Sequence, residues 1–193
     1  MVTIGILIFP QVEELDFVGP FEVLSYPNKL RSESTKVLTV AETINPVQAF
    51  NGLKVIPDID FANCPPLDII VVPGGKGRMK AMHDPAIRDF ILQQAKTARY
   101  ITSVCTGAFI LAEAGILDGK RATTYFAALP ELAGYPAIHP VKSKVVQDGS
   151  VITAAGVSSG LELGFYLLKL LFGREFAQEV AAKIEYDVDV EKL

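Results

Sequence analysis

The soft nucleophiles and bases of this 193-residue chain are few: two cysteines, Cys64 and Cys105, and two histidines, His83 and His139. Cys105 stands in Ser-Val-Cys-Thr-Gly, residues 103–107, at the end of a short apolar run. A small residue two places before a nucleophile and a glycine two places after it is the spacing of a nucleophile elbow. There a strand turns sharply into a helix and projects one side chain from the bend. The neighbours must be small because strand and helix backbones come close together. A thiol at that bend also sits at a helix N-terminus, whose partial positive charge favours thiolate and should lower the thiol from its usual value of about 8.5. The chemistry this supports is nucleophilic attack, with the amides after the bend and those of Gly74-Gly75 available to a developing anion. Cys64, in the loop sequence FANCPPLD, has no turn-and-helix context and reads as structural.

A nucleophile needs an acid/base partner. Thr106, not histidine, follows Cys105; His83 abuts a helix start and His139 precedes Pro140, so both read as surface residues. A carboxylate is the better candidate. Glu13, Glu14 and Asp16 lie just after the first strand. Asp16 is flanked by Leu15 and Phe17, which points it inward on an otherwise apolar helix face. A buried carboxyl has a raised pKa and can share a proton with a thiol. The competing role for Asp16 is a helix cap or turn residue. Glu13 and Glu14 read as a solvated face.

Strand and helix patterns alternate along the chain and supply the frame for these groups. Near-continuous apolar runs at 3–9, 35–41, 68–73 and 100–104 read as strands covered on both faces. Helices are expected over 13–26, disturbed in the middle by Gly19-Pro20, and over 85–98, with Asp84 as cap and Pro85 at the first position. Others should run from Thr106 or Gly107 to near Gly115, over 158–172 and over 174–186. Asp148-Gly149 between two β-rich runs marks a hairpin. The class is therefore α/β: a doubly wound, mostly parallel sheet with helices on both faces and a small β-hairpin. Sites in such sheets lie at the carboxyl ends of the strands, where the Asp16 region, Gly74-Gly75 and Cys105 all fall.

Half the residues are hydrophobic and 21% are charged, which argues for a packed globule and against disorder. The length suits one domain over residues 1–193, with no repeat or linker to divide it. A net charge of -4 argues against a nucleic-acid partner. The first ten residues lack a basic lead, and no apolar stretch approaches the roughly 18 residues of a membrane span. A cytoplasmic protein with no membrane partner is expected. Two cysteines are too few for a disulfide scaffold, and no Cys/His spacing suits a metal.

The segments IGILIFPQVEELDFVGPFEVL, FANCPPLDIIVVPGGKG, ITSVCTGAFILAEAGILDGKRATTYF and TAAGVSSGLELGF resemble the ThiJ/PfpI superfamily, flavodoxin-like relatives of the class I glutamine amidotransferases. Within it they are most similar to the isonitrile hydratase branch. The resemblance implies Cys105 as nucleophile, Asp16 as acid/base partner, Thr106 and Gly75 at the anion site and Val157 lining the pocket. It implies a small-molecule substrate, no cofactor and a homodimer. This sequence departs from the branch at Tyr125-Phe126, where His-Trp is usual, and between Ala127 and His139. The protease and glyoxalase-like branches carry Cys-His at the elbow, so Thr106 speaks against them. The N-terminal half also resembles the sensor domain of AraC-type regulators, but no helix-turn-helix segment is expected within this acidic chain. Two other readings stay open: a redox sensor using oxidation of Cys105, and a non-catalytic small-molecule binding module.

Overall fold

The computed structural model describes residues 1–193. In chain order it contains β1 (Val2–Leu7), α1 (Glu14–Ser25), α2 (Pro27–Leu30), β2 (Thr35–Ala41), β3 (Val47–Gln48), β4 (Lys54–Val55), β5 (Ile59–Asp60) and β6 (Ile69–Val72). There follow α3 (Arg78–Ala81), α4 (Pro85–Ala95), β7 (Tyr100–Val104), α5 (Gly107–Glu113), β8 (Arg121–Ala122), α6 (Leu129–Leu132) and β9 (His139–Pro140). The chain closes with β10 (Val145–Asp148), β11 (Val151–Ala154), α7 (Ser159–Phe172) and α8 (Arg174–Lys183).

Seven strands form the central sheet in the order β10-β11-β7-β6-β1-β2-β5, parallel throughout except for the β10–β11 hairpin. The interior strands β6 and β7 are buried almost along their whole length, as their apolar sequences require for strands covered on both sides. From β1 the chain moves outward to β2, then returns to place β6 on the other side of β1. Right-handed crossovers therefore put α1 on one face and α4 on the other. The reversal makes the gap between the carboxyl ends of β1 and β6 the topological switch point, the usual ligand crevice of such sheets. α1 packs against α7, and α7 against α8. One buried cluster of 47 residues runs through the sheet and reaches both helical layers.

The sequence expectations hold for the α/β class and the main strands, and details change: the last helix, for example, ends at Lys183 rather than 186. α1 is not disturbed at Gly19-Pro20 but runs through it. Pro20 has no N–H to offer the carbonyl of Asp16. Its ring is buried against Gly160 of α7, where a Cβ would sit 3.0 Å from Pro20 Cδ, and packing between α1 and α7 outweighs the missing bond. The hairpin turns on Gly149, at φ 63°, and Ser150, one step beyond the expected pair. No helix is long and apolar enough to cross a membrane.

Candidate active site

β7 ends at Val104, and Cys105 follows at φ 56°, a left-handed conformation that costs a non-glycine residue about 1–2 kcal/mol. Several bonds hold it there. The Cys105 N–H donates to the carbonyls of Ala154 (3.1 Å) and Ala155 (2.8 Å) at the end of β11. The Cys105 carbonyl accepts from the Thr124 hydroxyl at 2.8 Å. Gly107 then begins α5 with its Cα against the end of β6, where a Cβ would run into the Val72 carbonyl oxygen. That oxygen belongs to a buried strand and cannot yield. Gly107→Ala is expected to destabilise the protein by about 3 kcal/mol or more, read as a fall in the urea midpoint at unchanged slope. A loss within ~0.5 kcal/mol would mean that the bend does not need this close approach.

The loops after β1 and β6 are laced together beside the elbow. The Glu13 N–H donates to the Gly74 carbonyl at 3.0 Å, and the Gly77 N–H to the Gln11 carbonyl at 3.0 Å. The third residue of α1, Asp16, is completely buried and receives the Gly74 N–H on Oδ2 at 2.9 Å. Its Oδ1 has no hydrogen-bond partner, and the Cys105 thiol lies beside the carboxyl group, close enough for each to shift the acidity of the other. Asp16 is therefore not a helix cap; it is the inward carboxylate expected beside the thiol.

Burial raises Asp16 to about 7; the Gly74 N–H opposes this, the charge of Glu13 adds to it, and the bond to Cys105 opposes it. Cys105 is pushed up to about 12, by burial first and by the charge of Asp16 second. The N–H groups of Val157 and Thr106 donate to its sulfur and pull the other way. The lowered thiol expected from the helix N-terminus is thus overturned. α5 has only seven residues, and burial beside a carboxylate dominates over its end. The two groups titrate as a unit that holds one proton between about 7 and about 12.

A pocket of about 280 Å³ opens over this pair, lined by Cys105, Thr106, Gly75, Val157, Tyr125, Arg78 and Glu13. All five residues singled out in the sequence meet here: Cys105, Thr106, Gly75 and Val157 in the lining and Asp16 beneath the thiol. Val157 reaches it through a strained backbone at φ 40°, which aims its N–H at the sulfur. The expected anion role of Gly75 changes. At φ 120°, with no room for a Cβ beside Glu13 N and Gln11 O, Gly75 gives its N–H to Thr106 Oγ1 at 3.1 Å. The Gly74 N–H is likewise taken by Asp16. Because Thr106 Oγ1 accepts from Gly75, its hydroxyl proton is left to donate into the pocket.

The sequence reading missed several of these groups. Glu13 is a pocket wall rather than part of a solvated face, and Glu14 braces a neighbouring loop by accepting from the Asn51 backbone and side chain, both at 2.7 Å. Arg78 is held by Glu131 through two bonds of 2.8 and 2.7 Å, with its guanidinium 4.2 Å above the Phe109 ring. Tyr125 rests on Gly156, the residue before Val157, and a Cβ there would strike its ring. His83 and His139 are exposed and away from the pocket, and Cys64 is a half-buried thiol whose sulfur lies 3.5 Å from the Pro65 carbonyl. No group of three or more His, Cys, Asp or Glu is placed to hold a metal ion. Larger hollows, up to about 580 Å³, lie along α8 and contain no nucleophile.

Comparison with known proteins identifies the family to which this fold belongs. The chain matches the DJ-1/PfpI family over residues 2–170. It is 44% identical over 184 residues to an isonitrile hydratase of Pseudomonas putida, spanning 95% of this chain and 78% of that protein. Among solved structures it resembles a THiJ/PfpI family protein from Pseudomonas syringae, with a TM-score of 0.89 and 35% identity over 97% of this chain and 76% of the other. It resembles DJ-1beta of Drosophila melanogaster with a TM-score of 0.84 and 25% identity, over 97% and 99% of the two chains. With its sheet order, its elbow thiol and these matches together, the chain belongs to the DJ-1/PfpI family.

Proposed function

We propose that the protein adds water to isonitriles, giving N-substituted formamides, with Cys105 as nucleophile and Asp16 as its acid and base. The observation that carries this reading is the completely buried Asp16 carboxyl, raised to about 7, with one oxygen unpartnered beside a thiol on a strained elbow. The similarity to a Pseudomonas putida isonitrile hydratase supports the choice of substrate. The Cys105 sulfur attacks the terminal carbon of R–N≡C and forms the S–C bond. The thiol proton travels through Asp16 to that same carbon, giving the thioimidate R–N=CH–S–Cys105. Asp16, again a carboxylate, takes a proton from water as its oxygen adds to the carbon. That proton goes to the nitrogen, and the tetrahedral adduct expels the sulfur with a proton to leave R–NH–CHO and the free thiol. Thr106 steadies the developing charge on nitrogen through its hydroxyl. No other group is required.

The reactive state is the pair holding one proton. The acid limb of kcat/KM should therefore rise with pH through about 7, and a limb near the ordinary carboxylate range would contradict the role of Asp16. The function is tested by following loss of the isonitrile stretch and appearance of formamide with small alkyl and aryl isonitriles. Wild-type protein that yields no formamide from any of them would sink the reading. We place this activity in a cytoplasmic homodimer, as the family resemblance implies; sedimentation as a single 20.9 kDa chain would rule out the dimer.

A redox-sensing role has one feature in its favour: the Asp16 proton can be donated to an oxygen of an oxidised Cys105. Against it stands the thiol itself. At about 12 and buried it holds little thiolate, the form that peroxide attacks. Selective oxidation of Cys105 by mild peroxide, in protein with no isonitrile turnover, would reverse this ranking.

A further inference from the structure

The walls of the Cys105 pocket carry an uneven charge. Arg78 is the cation in its lining, and its charge is matched: Nη1 and Nη2 each donate to one Glu131 oxygen, and its flat face lies on Phe109. A guanidinium neutralised by a bidentate carboxylate offers a second carboxylate, on the substrate, little net attraction. Glu13, on the opposite loop, is the unpaired charge in the wall. Its only side-chain partner is the neutral amide of Asn51 at 3.4 Å, and it makes no ion pair. Glu14 stands next to it and adds a second negative charge, bound to Asn51 and the Leu53 N–H. Below them the Asp16–Cys105 unit carries one further negative charge in its reactive state. Lys76, following Gly75, is exposed and does not line the pocket. The opening is thus negative, and its volume of about 280 Å³ is small, near the lower end of the ~300–1,000 Å³ range for ligand pockets.

We propose that this pocket selects its substrates by charge, admitting compact neutral or cationic molecules and rejecting anionic ones, with Glu13 as the residue that sets the preference. The inference deepens the hydratase reading by naming the substrate class: isonitriles whose N-substituent is small and uncharged or bears an ammonium, not a carboxylate. It depends on Cys105 being the reacting atom, and its test does not depend on isonitriles.

The test is alkylation of Cys105 at pH 8, followed by mass, with three reagents of similar size: iodoacetamide (neutral), iodoacetate (anionic) and 2-bromoethylammonium (cationic). Each rate is divided by that of the same reagent with 2-mercaptoethanol, which removes intrinsic reactivity. One unpaired charge at a partly exposed wall is expected to favour the cation over the neutral reagent, and the neutral reagent over the anion, by about fivefold each. In Glu13→Gln both ratios should fall toward one; removing Glu13 also relieves Asp16 of its charge, but within each protein the three reagents meet one thiol, so that change cancels in the ratios. In wild type the ratios should also shrink in 1 M salt, where the screening length is ~3 Å. Equal normalised rates in wild type, or ratios unmoved by both Glu13→Gln and salt, would overturn the proposal. The same order should appear in formamide production from matched isonitriles ending in amide, carboxylate and ammonium. Charge-ordered alkylation with no formamide from any isonitrile would leave the selection standing and remove the hydratase reading.

Discussion

Cys105→Ala is expected to lower kcat for isonitrile hydration by about 10⁴-fold or more, the scale on which removal of a covalent nucleophile acts. Nothing else in the pocket can take its place. The Thr106 hydroxyl already accepts the Gly75 N–H, Tyr125 is a phenol, and Glu13 lies at the wall rather than above Asp16. The fold should survive, because the bonds that hold the bend come from backbone groups and Thr124, which alanine retains. The left-handed backbone is the same for alanine as for cysteine. What is lost is the sulfur faced by the Val157 and Thr106 N–H groups, and because both residues are only partly buried and line the pocket, water can replace it at a cost of about 1 kcal/mol or less. Steady-state rates beside a thermal melt check both parts. A folded variant that kept a tenth or more of the wild-type kcat would remove Cys105 from the mechanism.

Asp16→Asn has the second-largest effect, and its two consequences have opposite sign. Activity should fall by about 10³-fold, the usual reach of a positioned acid/base group. The amide keeps the shape and can still accept from the Gly74 N–H, so the loss reports the missing proton relay rather than a collapsed pocket. Stability should change with pH. Folding raises Asp16 from its ordinary 3.8 to about 7, so the folded state favours the protonated form. That contribution is fully present below about 3.8 and is lost as pH rises through about 7. The raised value corresponds at most to about 4 kcal/mol against the ionised protein. Wild type should therefore lose stability between pH 5 and pH 8, and Asp16→Asn should lose less. The difference in Tm, variant minus wild type, should be larger at pH 8 than at pH 5, whatever constant packing cost the amide carries. A difference that is flat across this range would show that Asp16 is not held protonated by its burial. Such a trade, in which the residue that drives the chemistry weakens the fold, is common at active sites.

The parts of this site legible in the sequence are those whose signals are local. The elbow is written within residues 103–107, because a strand, a nucleophile and a glycine must be adjacent to make the bend. Asp16 is legible because it follows the first strand at the start of a helix among apolar residues, although of its two neighbours only Phe17 is buried with it and Leu15 is exposed. What escapes the sequence is set by contacts between distant segments. Glu13 and Glu14 both reach Asn51, and that Glu13 alone also lines the pocket is fixed when the turns after β1 and β6 lace together. Arg78 finds Glu131 across 53 residues, and Thr124 reaches the Cys105 carbonyl from a separate segment. The commitment of the Gly75 N–H to Thr106 depends on the same docking. The acidity of Cys105 is not legible in the sequence for a related reason. A helix start is visible in sequence, but the degree of burial and the proximity of Asp16 belong to the fold, and they dominate. Pro20 likewise reads as disruptive in the sequence because its packing partner, Gly160, lies 140 residues away.

The most direct test is to mix the protein with a small alkyl isonitrile, quench with acid at millisecond to second intervals, and weigh the peptide that carries Cys105. The expected result is a transient gain equal to the mass of one isonitrile on Cys105, decaying as an equal amount of formamide appears. Formamide that forms with no adduct on Cys105 at any time, from a rate that Cys105→Ala leaves intact, would contradict the covalent mechanism.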